Sequence, residues 1–174
     1  NNMSEEFTKF TFIDVSSSLN NERYSDYQIV LPVLQKTIHA HRIILAGASE
    51  FFKTLFETCL SDSGLTQFEF QSSRTEMDAR TAEEAFESIL QLIYTMDITA
   101  YKEPTSDQYQ SMLNVLLLSD EFQMPHVMYF AAGVLSQFVN LDNCFYFLSL
   151  PDVKSMVPLK EAVLKFYKAN RDEL

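Results

Sequence analysis

The sequence predicts an α+β fold, a small sheet flanked by a cluster of α-helices and followed by a C-terminal helix pair, on three observations. Tyr27, Ile29 and Leu31 alternate with Gln28 and Val30, the period of a half-buried strand. From His41 the period changes: Ile44 and Leu45, then Phe51, Phe52, Leu55 and Phe56, recur at three and four residues, as a buried helical face requires. Five later stretches read as helical, and the last two lie beyond the point, near Val139, where one globular unit closes.

Each element follows from local chemistry. A helix over Phe12 to Asn21 would put Phe12, Val15 and Leu19 on one face, although Ser16, Ser17 and Ser18 lower its propensity. The first strand ends at Pro32, which has no amide proton for a ladder, and Lys36 to Ala40 returns as its hairpin partner. Gln67 to Gln71 is a short strand candidate, and the polar tract Ser72 to Arg80 is expected to be a mobile loop. Thr81 and Glu84 have capping-box spacing, opening a helix with the stripe Ala82, Ala85, Phe86, Ile89, Leu90 and Ile93. Thr105 or Ser106 caps the next helix, which runs to about Gln123 and is apolar around most of its girth at Val115 to Leu118. After Pro125, the residues Val127, Phe130, Ala131, Val134, Leu135 and Phe138 mark another stripe. The expected partition is residues 7–139 as one domain and 140–174 as a helix pair, the second helix bearing Leu159, Ala162, Val163, Phe166 and Tyr167.

Composition narrows the functional classes. With 174 residues, 47% of them hydrophobic, the chain can bury about 70% of its unfolded surface. A formal charge of −11 opposes binding to a phosphate backbone, so no nucleic-acid partner is expected. Cys59 and Cys144, far apart and in helical stretches, read as buried thiols of a reducing compartment rather than a disulfide scaffold. The longest strictly aliphatic run, Val115 to Leu118, is far short of the roughly 18 residues a membrane-spanning helix needs, and NNMSEEF does not resemble a signal peptide. A cytosolic or nuclear protein is expected. With Met at position 3, Asn1 and Asn2 read as added residues or a processed terminus.

Catalytic chemistry is not legible. Only Gly47, Gly64 and Gly133 occur, so no phosphate-cradling loop, dinucleotide fingerprint or nucleophile elbow can be written. His39, His41 and His126 lie at no metal-ligand spacing with either cysteine, so neither a metal nor a cofactor is expected, and His41 reads as a structural residue at a strand-helix junction. The terminal Arg171-Asp172-Glu173-Leu174 looks like a luminal retention signal but reads as the frayed end of a helix.

One group of residues carries a resemblance. Asp26 before the first strand, then Ala40, His41, Arg42, Ile43, Ile44, Leu45, Ala46, Ser49, Phe51 and Phe52, match the front half of a BTB/POZ domain, an interaction module rather than an enzyme. Ile93-Tyr94-Thr95 resembles that family's Tyr-Thr-Gly ending, with Met96 where glycine is usual, and Ser119 to Pro125 resembles the link between its last two helices. The resemblance implies a small mixed sheet within the helical cluster, and a Ser72 to Arg80 loop longer than relatives have. Asn143-Cys144, Leu159 and Ala162 to Phe166 resemble the three-box, the first helices of the BACK region that follows this fold in many cullin-3 adaptors. No MATH, kelch or zinc-finger pattern that could choose a substrate is present in the sequence given, which reads as a truncated chain or a very small adaptor.

What the resemblance implies for function is a homodimeric adaptor that brings a substrate protein to a cullin-3 ubiquitin ligase. It places Phe12, Val15, Leu19 and Ile44 at the two-fold contact, an ordinary core stripe being the alternative. Asp26 and Arg42 match a charged pocket at the dimer floor. A plain surface pair is the alternative, and if exposed it would contribute only about 0–1 kcal/mol. Cullin-binding relatives carry an apolar residue, any residue and Glu after the helix that here ends Phe56-Glu57-Thr58-Cys59. This chain has Leu60, Ser61 and the shorter Asp62 there, and Phe56 and Tyr94 complete the expected cullin site. A dimerising scaffold of the transcription-regulator type, recruiting other proteins without a cullin, is the second reading; tetramerising channel relatives of the fold are disfavoured by the three-box-like tail.

Overall fold

Strands β1 (Tyr27–Leu31) and β2 (Lys36–Ala40) pair antiparallel, with Tyr27 opposite Ala40 and Leu31 opposite Lys36. Strand β3 (Gln67–Glu69) lies parallel to the other edge of β1, Ile29 beside Phe68, so the sheet is mixed with order β2-β1-β3. The structure is a computed structural model that describes residues 15–58, 66–101, 104–150 and 153–171. Seven α-helices are found among them: α1 (Arg42–Ala48), α2 (Glu50–Thr58), α3 (Ala79–Thr95), α4 (Asp107–Glu121), α5 (Pro125–Leu135), α6 (Cys144–Ser149) and α7 (Val157–Ala169). The fold is α+β, and the alternation in β1 does what its period dictates: Tyr27, Ile29 and Leu31 are all buried.

The hairpin turn is finished from a distance. Pro32 closes β1, Gln35 takes a left-handed backbone with φ of 53°, and the amides of Val33 and Leu34 donate to the carboxylate of Glu83 at 2.9 and 2.7 Å. Glu83 is 2% exposed, so these two bonds satisfy a charge that would be costly to bury alone.

The core is centred on aromatic rings. Phe122, just past α4, has its ring centroid 4.8 Å from Phe86 of α3, 5.6 Å from Phe70 after β3, and 5.2 Å from Phe51 of α2. Phe52 and Phe68 each lie 6.1 Å away. Edge-on and offset contacts of this kind add about 0.5–1.5 kcal/mol per pair beyond area burial. The Ser49 hydroxyl, also buried, donates to the Phe122 carbonyl at 2.6 Å while accepting from the Phe52 amide at 3.1 Å, which explains a serine between α1 and α2.

Helices α6 and α7 continue the same core: Cys144, Phe147, Met156, Leu159 and Val163 are buried within the cluster that includes α4 and α5. The ammonium of Lys160 donates to the carbonyls of Leu148 and Leu150 at 2.8 and 2.6 Å, satisfying the end of α6. Cys144 is a buried free thiol; Cys59 lies outside the described residues, as do Asp172, Glu173 and Leu174.

Three expectations are corrected. No α-helix covers the described part of Phe12 to Asn21: Ser16–Ser18 form a 3-10 turn, Leu19 is extended and Asn20 is left-handed at φ 56°. Three consecutive serines favour local turn bonds over a continuing helix. The cap of α3 is Asp78, not Thr81: its Oδ1 accepts from the Thr81 amide at 2.9 Å and its Oδ2 from the Thr81 hydroxyl at 3.0 Å, so the helix starts earlier. The 72–80 tract is fastened down, because Ser72 and Ser73 donate to Glu121 and Arg74 pairs with Asp120 at 2.6 Å. Burial pushes the Glu121 carboxyl up, but the Ser73 amide, the Ser72 and Ser73 hydroxyls and the Arg74 charge outweigh it and hold it below its ordinary value.

Met96 caps α3 in the left-handed region, φ 50° and ψ 24°, its amide donating to the Leu92 carbonyl at 2.9 Å. The turn forms, with the strain of a side chain where glycine would be free. Met96→Gly is expected to raise the unfolding free energy by about 0.5–1 kcal/mol and Phe122→Ala to lower it by about 3–5 kcal/mol, both read from urea midpoints at unchanged slope.

Candidate protein-docking site

Helix α1 is set by two side chains that hold its first turn. The Asp26 carboxylate accepts from the Arg42 amide at 2.8 Å, and the Tyr94 hydroxyl, at the end of α3, accepts from the His41 amide at 2.8 Å and lies 3.1 Å from His41 Nδ1. His41 in turn offers its carbonyl to the amides of Ile44 and Leu45 at 3.1 and 3.0 Å. It is thus a structural histidine at the strand-helix junction.

The Arg42 side chain does not pair with Asp26. Its guanidinium sits 4.6 Å from the Phe56 ring centroid and 5.8 Å from that of Tyr27, a cation-π arrangement. The predicted charged pair is therefore brought together through the main chain of Arg42, with the cation stacked over aromatic faces.

Held this way, α1 forms one wall of an open apolar groove of about 420 Å³. Ile44, Gly47 and Ala48 line it from α1, Leu92, Ile93, Met96 and Ile98 from the end of α3 and beyond, and His126, Val127 and Phe130 from α5. Ile43 beside it and Met96 within its lining are 81% and 80% exposed, unusually wet for such side chains. A Cβ built on Gly47 meets nothing within 4 Å, so the described residues alone do not require glycine there.

Of the residues expected at a two-fold contact, Ile44 lines the groove, Val15 is half-buried beside the 3-10 turn, Leu19 packs against the core, and Phe12 lies outside the described residues. Of the expected cullin site, Leu60 and Asp62 lie outside the described residues, while Phe56 and Tyr94 are 8% and 2% exposed. Those two can position neighbouring chain but offer little contact area of their own, because Phe56 packs under Arg42 and edge-on to Tyr27 and the Tyr94 hydroxyl is spent on His41. The groove residues Leu92, Met96 and Ile98 were not anticipated. Their signal is that apolar residues continue past the core stripe of α3 and past its last turn.

Among the described residues no group of three or more His, Cys, Asp or Glu could hold a metal ion, and no helix is long and apolar enough to cross a membrane.

A mixed three-stranded sheet within a helical cluster, bearing an apolar groove, is the make-up of a docking module. The family model for the BTB/POZ domain matches residues 15–138, and the chain belongs to that family. It is similar to BTB/POZ domain-containing protein 9 of Drosophila melanogaster, 25% identical over 161 residues that make up 92% of this chain and 20% of that protein. It is also similar to Kelch-like protein 7 of Gallus gallus, 28% identical over 133 residues, 76% of this chain and 20% of that protein. TD and POZ domain-containing protein 2 of Mus musculus is 24% identical over 161 residues, 92% of this chain and 40% of that protein. The chain thus spans a fifth to two fifths of the length of these relatives, and its role is that of a protein-interaction adaptor module.

Burial pushes the Tyr94 hydroxyl up to about 12, with the His41 amide pulling it down and the Asp26 charge pushing it further up. The folded state therefore favours neutral Tyr94. That preference is fully present below the ordinary value of 10.0 and is lost as pH rises from there through about 12. The unfolding free energy is expected to fall more steeply above pH 10 in the unsubstituted chain than in Tyr94→Phe, which should itself cost about 1–3 kcal/mol at neutral pH by leaving the His41 amide unsatisfied.

Proposed function

We propose that this chain is a homodimeric BTB adaptor that docks the N-terminal domain of cullin-3 and brings an unidentified substrate protein to that ubiquitin ligase, supplying geometry while ubiquitin chemistry is done elsewhere. The observation that carries the reading is the groove along α1. It is apolar and open, and Gly47 in its α1 wall costs that helix about 0.5–1 kcal/mol relative to alanine. A second copy supplies a matching occupant, since the N-terminal segment holds Phe7, Phe10 and Phe12 and an isologous contact buries the same patch twice.

Support for the cullin comes from two sides. Leu60 and Asp62 follow α2 in the order of cullin-binding relatives. The α6–α7 pair, with its resemblance to a three-box, is packed on the core rather than loose. A match covering 161 residues necessarily extends past Phe138, where the family model ends, so similarity to a relative reaches into this pair. A cytosolic or nuclear setting suits the buried free thiol of Cys144. The shorter side chain of Asp62 favours a second reading, a dimerising scaffold of the transcription-regulator type that recruits other proteins without a cullin.

Light scattering is expected to give about twice 20.1 kDa at micromolar concentration, with Ile44→Asp returning the chain to the single mass. A single mass for the unsubstituted chain removes the dimer. Calorimetric titration with the N-terminal domain of cullin-3 should give a micromolar or tighter Kd, weakened about tenfold or more by Leu60→Asp. Absence of heat with a folded dimer would favour the scaffold.

A further inference from the structure

The segment between β3 and α3 is built as a latch. Glu121, in the last turn of α4, accepts from the Ser73 amide at 2.6 Å, the Ser73 hydroxyl at 2.8 Å and the Ser72 hydroxyl at 2.7 Å. Arg74, next along, donates through Nη2 to Asp120 at 2.6 Å and comes within 3.8 Å of Glu76. Arg74 also lines a small cavity of about 60 Å³ together with its partner Asp120, with Leu116, Leu117 and Met128 from α4 and α5, and with Leu150, Val153 and Met156 from the link between α6 and α7. One short segment therefore fastens the end of α4 and lines a cavity beside the seat of the C-terminal helix pair.

Ser73 is exposed and lies in neither helix nor strand, so only its bonds to Glu121 must open for its backbone to enter an extended active-site groove. Glu76 and Asp78 follow at three and five residues, an acidic flank that would attract a basic substrate cleft. We propose that Ser73 is a phosphorylation site for an acid-directed serine kinase, and that its phosphate releases the 72–76 latch from α4 and loosens the C-terminal helix pair on the BTB fold. This does not depend on which partner occupies the groove.

The chemistry is ordinary phosphoryl transfer. The Ser73 Oγ attacks the γ-phosphorus of ATP, the new P–O bond forms as the bond to the bridging oxygen breaks, ADP leaves, and the hydroxyl proton passes to the kinase's carboxylate base. The product can no longer donate from Oγ and carries about −1.5 to −2 charges at neutral pH, set against the Glu121 carboxylate it formerly bound. Arg74, the adjacent cation, then has a stronger bidentate partner in the phosphate than in Asp120. Its departure opens the cavity wall shared with Leu150, Val153 and Met156.

The test is incubation of the full chain with a purified acid-directed serine kinase and ATP, peptide mapping by mass spectrometry, and amide hydrogen exchange before and after. Phosphate on Ser73 is expected, slowed about tenfold by Glu76→Lys. Exchange should rise about tenfold in residues 72–76 and in α6 and its link to α7, with β1 and β2 unchanged. Glu121→Gln should reproduce part of the exchange increase without kinase. Phosphate confined to Thr75 or to other positions, or phosphate on Ser73 with unaltered exchange in α6, would overturn the proposal.

Discussion

The ring of Phe122 is where sheet, helices and inter-helix link are made to agree. Its neighbours come from α2, from β3 and the residue after it, and from α3, so no two of those elements can shift without opening a gap beside it. The buried Ser49 hydroxyl ties the Phe122 carbonyl to the start of α2, which converts a packing requirement into a directional one. The cost of misplacing this residue is correspondingly shared by the whole molecule.

The groove inherits its shape from that arrangement. Helix α1 leaves the sheet at a corner fixed by Tyr94 and Asp26, and the backbone from Ser119 to Met124 that carries Phe122 also sets where α5 begins, with the Met124 amide donating to the Ser119 carbonyl at 2.7 Å. The apolar walls are thus presented by rigid elements, and little ordering entropy remains to be lost on binding.

Much of the fold was legible in the sequence, and the parts that were not share a cause. Tyr27, Ile29 and Leu31 announce a strand because their spacing puts all three on one buried face, and the stripe from Ala82 to Ile93 announces α3 for the same reason. The fastening of Ser72, Ser73 and Arg74 depends on carboxylates 46 to 49 residues away, which no local period records. Asp78 overrode Thr81 as a cap because its charged side chain, on an extended residue, takes the Thr81 amide and so places Thr81 inside the first turn. At the site, Ile44 could be named from its motif, whereas Leu92, Met96 and Ile98 become a wall only once α1, α3 and α5 are set side by side. Phe56 and Tyr94 show the converse: motif residues whose side chains face inward.

The buried carboxylate of Glu83 has a kinetic meaning as well. The turn between β1 and β2 is short enough to close early, but its two free amides find their acceptor only when α3, some fifty residues later, arrives against the sheet. Until then water must serve those amides, so the hairpin stays provisional during folding. A contact that is local in space and remote in sequence thereby defers commitment of the sheet until the helical half of the chain has been made.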